Sequence, residues 1–207
     1  MVTAVLVGCW VVGLGLTGCE GSRQTFVTHP PGTLPVAFEG ASASSSCLVA
    51  CVTMSANYLL GKRQFAEPEV RTTLAQRHLD ETSIKDLQTF LSDSGQGLEL
   101  MVLSGQLDDQ PPRGIRFWIE RKGYPVIAII NKRGKDPKFA KFNHAVVVTG
   151  FSTDTSSSPA DIVYYLDPST SEPMVSVTRT DFEKYWSASD RAMLLVVQPT
   201  TSDIQGQ

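Results

Sequence analysis

Three short stretches of the chain carry a thiol, an imidazole and a carboxylate in that order. Cys47 stands in SSSCLVACVTM, His144 in FNHAVVVTGF, and Asp167 near the end of VYYLDPS. A cysteine attacks a carbonyl carbon as its thiolate, an imidazole transfers the proton, and a carboxylate can orient the imidazole. The set therefore predicts a cysteine-type hydrolytic site.

The spacing of His144 and Asp167 supports a shared role. Each lies at the end of a stretch rich in β-branched residues, and a Ser-, Thr- and Pro-containing loop separates the two stretches. An antiparallel hairpin with its midpoint between Thr155 and Ser156 would place His144 directly opposite Asp167, on the same face of the sheet. Asp167 would then orient the ring and stabilise the imidazolium. Asp-Pro-Ser also favours a turn, and both roles are compatible.

The other two histidines are weaker partners for the thiol. His29 lies in a Gly- and Pro-containing stretch near the N-terminus, and His78 lies on a polar, charged helical stretch. A lone histidine before an apolar strand is often only a strand-end residue. The functional interpretation of His144 therefore depends on Asp167.

Cys47 is predicted to lie in the first turn of a helix. Apolar residues recur at near-helical spacing from Ser44 to Leu60, three serines precede the cysteine as candidate N-caps, and Gly61 is placed to end the helix. A helix N-terminus beside an imidazolium lowers the pKa of a thiol. The position therefore favours a reactive cysteine.

Cys51 lies one helical turn after Cys47 and is interpreted as a small buried apolar residue. A Cys47–Cys51 disulfide is the alternative, but adjacent turns of a regular helix orient two cysteines poorly for that bond. A metal site has less support, because no second cysteine pair completes it. No metal or cofactor is predicted.

The remaining elements predict an α+β fold, with N-terminal helices packed on a mostly antiparallel sheet. Three further stretches have helical patterns: EPEVRTTLAQRHL, SIKDLQTFLSDSG and GIRFWIERKG. The second of them opens with a capping box at Ser83 and Asp86. A further helical pattern, TDFEKYW, has Thr180 and Glu183 at capping-box spacing. Six strands follow the first three helices: LELMVLS, YPVIAIIN, HAVVVTGF, DIVYYLDP, PMVSVTR and AMLLVVQP.

The N-terminus predicts export to the cell envelope. Residues 1–18 are interpreted as a lipoprotein-type signal peptide, because the apolar run ends in Leu-Thr-Gly-Cys and Cys19 would carry the lipid. The run lacks the usual preceding Lys or Arg, and a single membrane anchor is the alternative. Residues 19–35 are predicted to be a flexible tether, 36–199 the folded domain and 200–207 a disordered tail. The domain would be extracytoplasmic in a bacterial envelope.

Charge and motifs exclude other classes. The net charge of −3 gives no basic face, so nucleic-acid binding is not expected. The chain also contains no HExxH, no GxSxG and no phosphate-binding glycine loop.

These residues resemble the papain-like peptidases of the bacteriocin-processing, double-glycine-leader family. CLVAC matches that family's Cys-Gly-x-Ala-Cys run at Cys47, Ala50 and Cys51, and the first cysteine of the run is the nucleophile. NHAVVVTGF followed by VYYLDPS is similar to its His-then-Asp hairpin, and TDFEKYWSASDRAMLLVV to its closing helix and strand. The resemblance covers residues 34 to 198. It implies a papain-like fold in a stand-alone lipoprotein and a peptide or protein substrate.

Two positions depart from the family pattern. Leu48 stands where the family has glycine, and Ala41 stands where it has a glutamine that donates to the oxyanion hole. Glu39 is the nearest residue of similar shape, but an ionised carboxylate would repel an oxyanion. Losing one such donor costs about 10² to 10³ in rate.

The sequence thus predicts a membrane-tethered extracytoplasmic cysteine peptidase with Cys47, His144 and Asp167 as its triad. Two alternatives stay open: a weak or inactive papain-like module that binds peptides, and an amidase or acyl transferase with the same fold. The oligomeric state stays open as well.

Overall fold

The computed structural model describes residues 27–134, 136, 143–153 and 161–199. The predicted signal peptide, Cys19 and the predicted tail 200–207 lie outside the described residues. No helix within these ranges is long and apolar enough to cross a membrane.

The helices precede most of the strands, as the sequence predicts. Helix α1 spans Cys47–Leu60, α2 Glu67–Gln76 and α3 Ile84–Asp93, and α4, Arg179–Ser187, lies between the last two strands. The strands are β1 Glu99–Ser104, β2 Val126–Ile130, β3 His144–Thr153, β4 Asp161–Leu166, β5 Met174–Thr178 and β6 Ala192–Val197. They form one antiparallel sheet in the order β1-β6-β2-β3-β4-β5. The predicted α+β class is confirmed.

The sheet separates two apolar clusters, because successive side chains of a strand point to opposite faces. On β3, Ala145 and Val147 pack with the cluster of α1, α2 and α3, whereas Val146 and Val148 pack with the cluster that contains Phe182 and Trp186 of α4. Helix α1 packs directly on the sheet, with ten consecutive residues from Leu48 to Asn57 buried. Such burial on nearly all sides gives α1 a fixed position.

Two helical segments differ in detail from the prediction. The GIRFWIERKG segment contains a short π-helix, Phe117–Arg121, and Gly123 follows it with φ of 69°. Helix α4 is capped by Thr178, whose side chain accepts a hydrogen bond from the Asp181 amide at 3.1 Å. The predicted cap, Thr180, is therefore two residues late and lies inside the helix.

The end of the predicted tether is part of the folded domain. Thr33 forms an antiparallel bridge with Gly150 of β3, and the Leu34 amide donates to the carbonyl of Thr149 at 2.8 Å. The packed domain thus begins a few residues before residue 36.

Candidate active site

Cys47 is the first residue of α1, as predicted. Ser46 precedes it but does not cap the helix with its side chain: its buried hydroxyl accepts from the Ala43 amide at 3.1 Å and donates to the Ala43 carbonyl at 2.9 Å. Those bonds close the loop that delivers the chain to the helix. Gly61 ends the helix in a left-handed conformation, which also confirms the prediction.

The surroundings of Cys47 favour its thiolate. Burial raises the pKa of the Cys47 thiol, but a hydrogen bond with His144, the amide of Ala145, the imidazolium charge and the amide of Leu48 together lower it below its ordinary value. The net direction matches the requirement for a nucleophile that is ionised near neutral pH.

His144 and Asp167 form the partner pair on the sheet. Nε2 of His144 lies 2.7 Å from Oδ1 of Asp167, so the other ring nitrogen is left for Cys47. Burial lowers the pKa of His144, but the hydrogen bonds and charges of Asp167 and Cys47 raise it to about 9. Burial raises the pKa of Asp167, but His144 and Ser169 hold it well below its usual range. The three predicted residues are therefore in one place.

The strand register differs from the predicted one. Val147 lies opposite Leu166, and continuing this register places Val146, not His144, opposite Asp167. His144 is two residues further along, which preserves the face and makes the contact diagonal. The predicted direct opposition is wrong, because the observed pairing of β3 with β4 next to the site is offset by two residues from the predicted one.

Sequence reasoning missed two neighbours of Asp167. The Ser169 amide and hydroxyl donate to Oδ1 of Asp167 at 3.0 Å and 2.7 Å, and Nζ of Lys132 lies 3.6 Å from Oδ2. Asp-x-Ser is a turn pattern in which an aspartate accepts bonds from the backbone two residues on, so Ser169 could have been found. Nothing in the sequence indicates Lys132, which reaches the site from the end of β2.

A polar network holds the serine-rich loop before Cys47. The amide and hydroxyl of Ser42 donate to the fully buried Glu67 at 3.3 Å and 3.0 Å, and Arg71 donates to the Ser42 hydroxyl at 2.8 Å. Arg71 also pairs with Glu81, which accepts the hydroxyl of Ser45. The loop is thus tied to α2 and to the turn before α3.

Cys51 is fully buried, and both cysteines are free thiols. Burial, together with the charges of Cys47 and Asp167, raises the pKa of Cys51 well above its ordinary value. Its interpretation as a buried apolar residue is confirmed, and no disulfide joins it to Cys47.

Glu39 does not replace the missing glutamine. Its carboxylate accepts from Nε of Arg63 at 2.8 Å and lines a cavity beside Tyr58 and Gly61, at the far end of α1 from Cys47. Ala41 offers no side-chain donor, and its amide donates to the carbonyl of Pro168 at 2.8 Å. A side-chain donor to an oxyanion has to come from another residue.

An open cleft of about 520 Å³ leads to the thiol and the imidazole. It combines small polar residues with an apolar wall, and no Asp, Glu, Lys or Arg among the described residues lines it. The lining residues are Ser44, Ser45, Cys47, Leu48, Thr82, Ile84, Ile129, Asn143, His144 and Ala145.

Solved structures of peptidases share this fold. A double-glycine-motif protease from an AMS/PCAT transporter, solved with its leader peptide, is 17% identical with a TM-score of 0.52, over 84% of this chain and 97% of that one. The peptidase domain of Streptococcus ComA, a bifunctional ABC transporter involved in quorum sensing, is 13% identical with a TM-score of 0.52, over 78% and 98%. A putative C39-like peptidase from Bacillus anthracis is 14% identical with a TM-score of 0.57, over 82% and 98%.

The sequence itself matches the model of the Peptidase_C39 like family over residues 121–193, which include His144 and Asp167. No curated protein sequence matches the chain. The chain has the papain-like fold of these peptidase structures, and its residues 121–193 are similar to the Peptidase_C39 like family. It resembles the bacteriocin-processing peptidases in both sequence and fold.

Proposed function

We propose that the protein hydrolyses peptide bonds with Cys47, His144 and Asp167. The 2.7 Å contact between His144 and Asp167, with Cys47 lining the same cleft as the His144 ring, carries the proposal. The Cys47 thiolate attacks the carbonyl carbon, and the His144 imidazolium gives its proton to the leaving amine. Water then attacks the thioester, His144 takes its proton, and the acid product leaves with the thiolate restored.

The developing oxyanion is stabilised by the backbone amide of Cys47 and, in this chain, by the hydroxyl of Ser44. Ser44 lines the same cleft as Cys47 and His144, and within the described part of the chain its hydroxyl has no hydrogen-bond partner. The neighbouring Ser45 hydroxyl is already donated to Glu81. Ser44 thus supplies the donor that Ala41 cannot.

The substrate is a peptide or an exposed protein segment. The cleft is open, no Asp, Glu, Lys or Arg of the described residues lines it, and the fold matches that of a protease solved with its leader peptide. Small polar side chains along the cleft suit an extended backbone, and the apolar wall suits uncharged side chains next to the scissile bond.

The test is turnover of a diverse peptide mixture by the purified protein, read by mass spectrometry. Cleavage that disappears in Cys47→Ala and persists in Cys51→Ala supports the proposal, because the two residues lie on the same helix and only one reaches the cleft. Binding of peptides without any turnover would instead favour the peptide-binding module. Acyl transfer or deamidation products would favour the second alternative.

We also propose that a lipid on Cys19 tethers the domain to the outside of the cytoplasmic membrane or to another envelope membrane. The support is the run Leu-Thr-Gly-Cys after an apolar stretch. Metabolic labelling with a fatty-acid analogue tests it: Cys19→Ser should abolish incorporation, whereas Cys9→Ser, within the apolar stretch, should not. Equal incorporation in both variants would contradict the anchor.

A further inference from the structure

The N-terminal strap, defined here as Thr33 and Leu34, meets β3 where the strand is irregular. Thr33 bridges to Gly150, and the Leu34 amide donates to the Thr149 carbonyl at 2.8 Å. The side chain and the amide of Thr33 both donate to the carbonyl of Pro30, at 2.7 Å and 3.1 Å, so the strap is preceded by its own closed turn.

In addition to these hydrogen bonds, the strap makes packing contacts. Leu34 contacts the apolar clusters on both faces of the sheet, and Val36, two residues later, is fully buried. Leu34 therefore packs the strap against the core.

Gly150 is required by the approach of the strap. A Cβ on Gly150 would lie 2.7 Å from Cγ2 and 2.8 Å from Cα of Thr33, and 2.9 Å from the carbonyl oxygen of Gly32. Contacts that short do not occur, so any larger residue at position 150 displaces the strap.

The bulge at Thr149 sets the strand register between His144 and Asp167. Beyond the bulge Gly150 pairs with Tyr164, and before it Val148 pairs with Tyr165. Continuing the first register without the bulge would place His144 three residues from the position opposite Asp167, on the other face. The one-residue shift makes that distance two residues, on the same face.

We propose that the N-terminal strap is a positioning element for His144: it holds the bulge at Thr149, and the bulge puts the imidazole beside Asp167. The strap itself touches no reacting atom. The proposal uses the proposed function only in taking His144 as the base of the reaction.

The test measures the titration of His144 by NMR, so it does not depend on peptidase activity. Among the described residues, the charged and titratable groups that face the His144–Asp167 pair are Cys47 and Cys51 of α1, Lys132 after β2 and Tyr165 of β4. None of them is altered in the variants. The ring signals are assigned with His29→Gln and His78→Gln.

Leu34→Pro and Leu34→Ala form a matched pair. Proline removes the amide that donates to Thr149, whereas alanine keeps the amide and removes only the packing side chain. The pKa of His144, about 9 in the unaltered protein, should fall toward 6.5 in Leu34→Pro and stay near 9 in Leu34→Ala. Gly150→Ala should behave like Leu34→Pro, because it displaces the strap from the other side.

Folded Leu34→Pro and Gly150→Ala proteins that keep the unaltered His144 titration would overturn the proposal. If neither variant folds, the unaltered protein gives the test by hydrogen exchange over a series of urea concentrations. If the His144–Asp167 pairing is lost at the same urea concentration at which the Leu34 amide begins to exchange, the result supports the role of the strap in positioning His144. A His144 pKa still near 9 after that amide has lost its protection contradicts it.

Discussion

Nε2 of His144 lies 2.7 Å from Oδ1 of Asp167, at neighbouring ends of two paired strands. The same carboxylate oxygen accepts the amide and hydroxyl of Ser169, so its position is fixed from two directions. A carboxylate held in this way keeps the imidazole charged and turned toward Cys47. The pair therefore sets both the geometry and the ionisation of the thiol.

The upper pH limit of activity should depend on the charge of Asp167. Because Asp167 favours the imidazolium, removing its charge lowers the pKa of His144 from about 9 toward its ordinary value of 6.5. Asp167→Asn should therefore move the alkaline limb of kcat/KM to lower pH. Asp167→Ala should do the same and also lose about 10²-fold or more in kcat, since nothing then orients the ring. An alkaline limb unchanged in both variants would contradict this role.

The ion pair should also make stability depend on pH. The folded protein holds the His144 proton up to about pH 9, whereas the unfolded chain releases it near 6.5. The contribution of this group to the free energy of unfolding is thus present below pH 6.5 and is lost as the pH rises through 9, with at most about 3 kcal/mol at stake. Urea unfolding at pH 6 and pH 9.5 should show a decline that is smaller in His144→Ala. An equal decline of the free energy of unfolding in the unaltered protein and in His144→Ala would contradict a stabilising His144–Asp167 ion pair.

The hydroxyl of Ser44 should contribute to rate and not to binding. Ser44→Ala removes the side-chain donor that we assign to the oxyanion, so kcat should fall about 10²-fold with KM little changed. Ser45→Ala is the matched control, because Ser45 lines the same cleft but donates its hydroxyl to Glu81. A Ser44→Ala enzyme as active as Ser45→Ala would assign oxyanion stabilisation to the backbone alone.

Lys132 should tune the pair from the far side of Asp167. Its ammonium lies 3.6 Å from Oδ2 and is half-exposed, so it neutralises part of the carboxylate charge. In Lys132→Met the carboxylate of Asp167 should favour the His144 imidazolium more strongly. The alkaline limb of kcat/KM should then move up by less than about one pH unit. Lys132→Arg should leave the limb in place. A shift of the alkaline limb to lower pH in Lys132→Met would contradict the role assigned to Lys132.

The parts of the site that depend on local sequence were predictable. Apolar spacing, the preceding serines and the terminal glycine predicted α1 and placed Cys47 in its first turn, where the structure has it as the first residue. The alternation of β3 and β4 put His144 and Asp167 on one face, even though the predicted register was two residues off.

The parts that depend on distant contacts were not predictable. The bulge at Thr149 requires the strap at Thr33, more than a hundred residues away in the sequence. The contact of Lys132 with Asp167 depends on the direction in which the chain leaves β2. The cap at Thr178 shows a smaller limit, because two threonines at positions 178 and 180 offer competing starts for α4. Tertiary packing chooses between such local alternatives.

Activation of the Cys47 thiol by His144 can be measured as the pH dependence of Cys47 alkylation. Iodoacetamide labelling is followed by mass spectrometry of the modified peptides, in the unaltered protein and in His144→Ala. We expect Cys47 to be labelled at lower pH in the unaltered protein than in His144→Ala, because His144 lowers the pKa of the Cys47 thiol, and we expect no labelling of the buried Cys51. Cys47 labelling with the same pH dependence in both proteins would contradict the account.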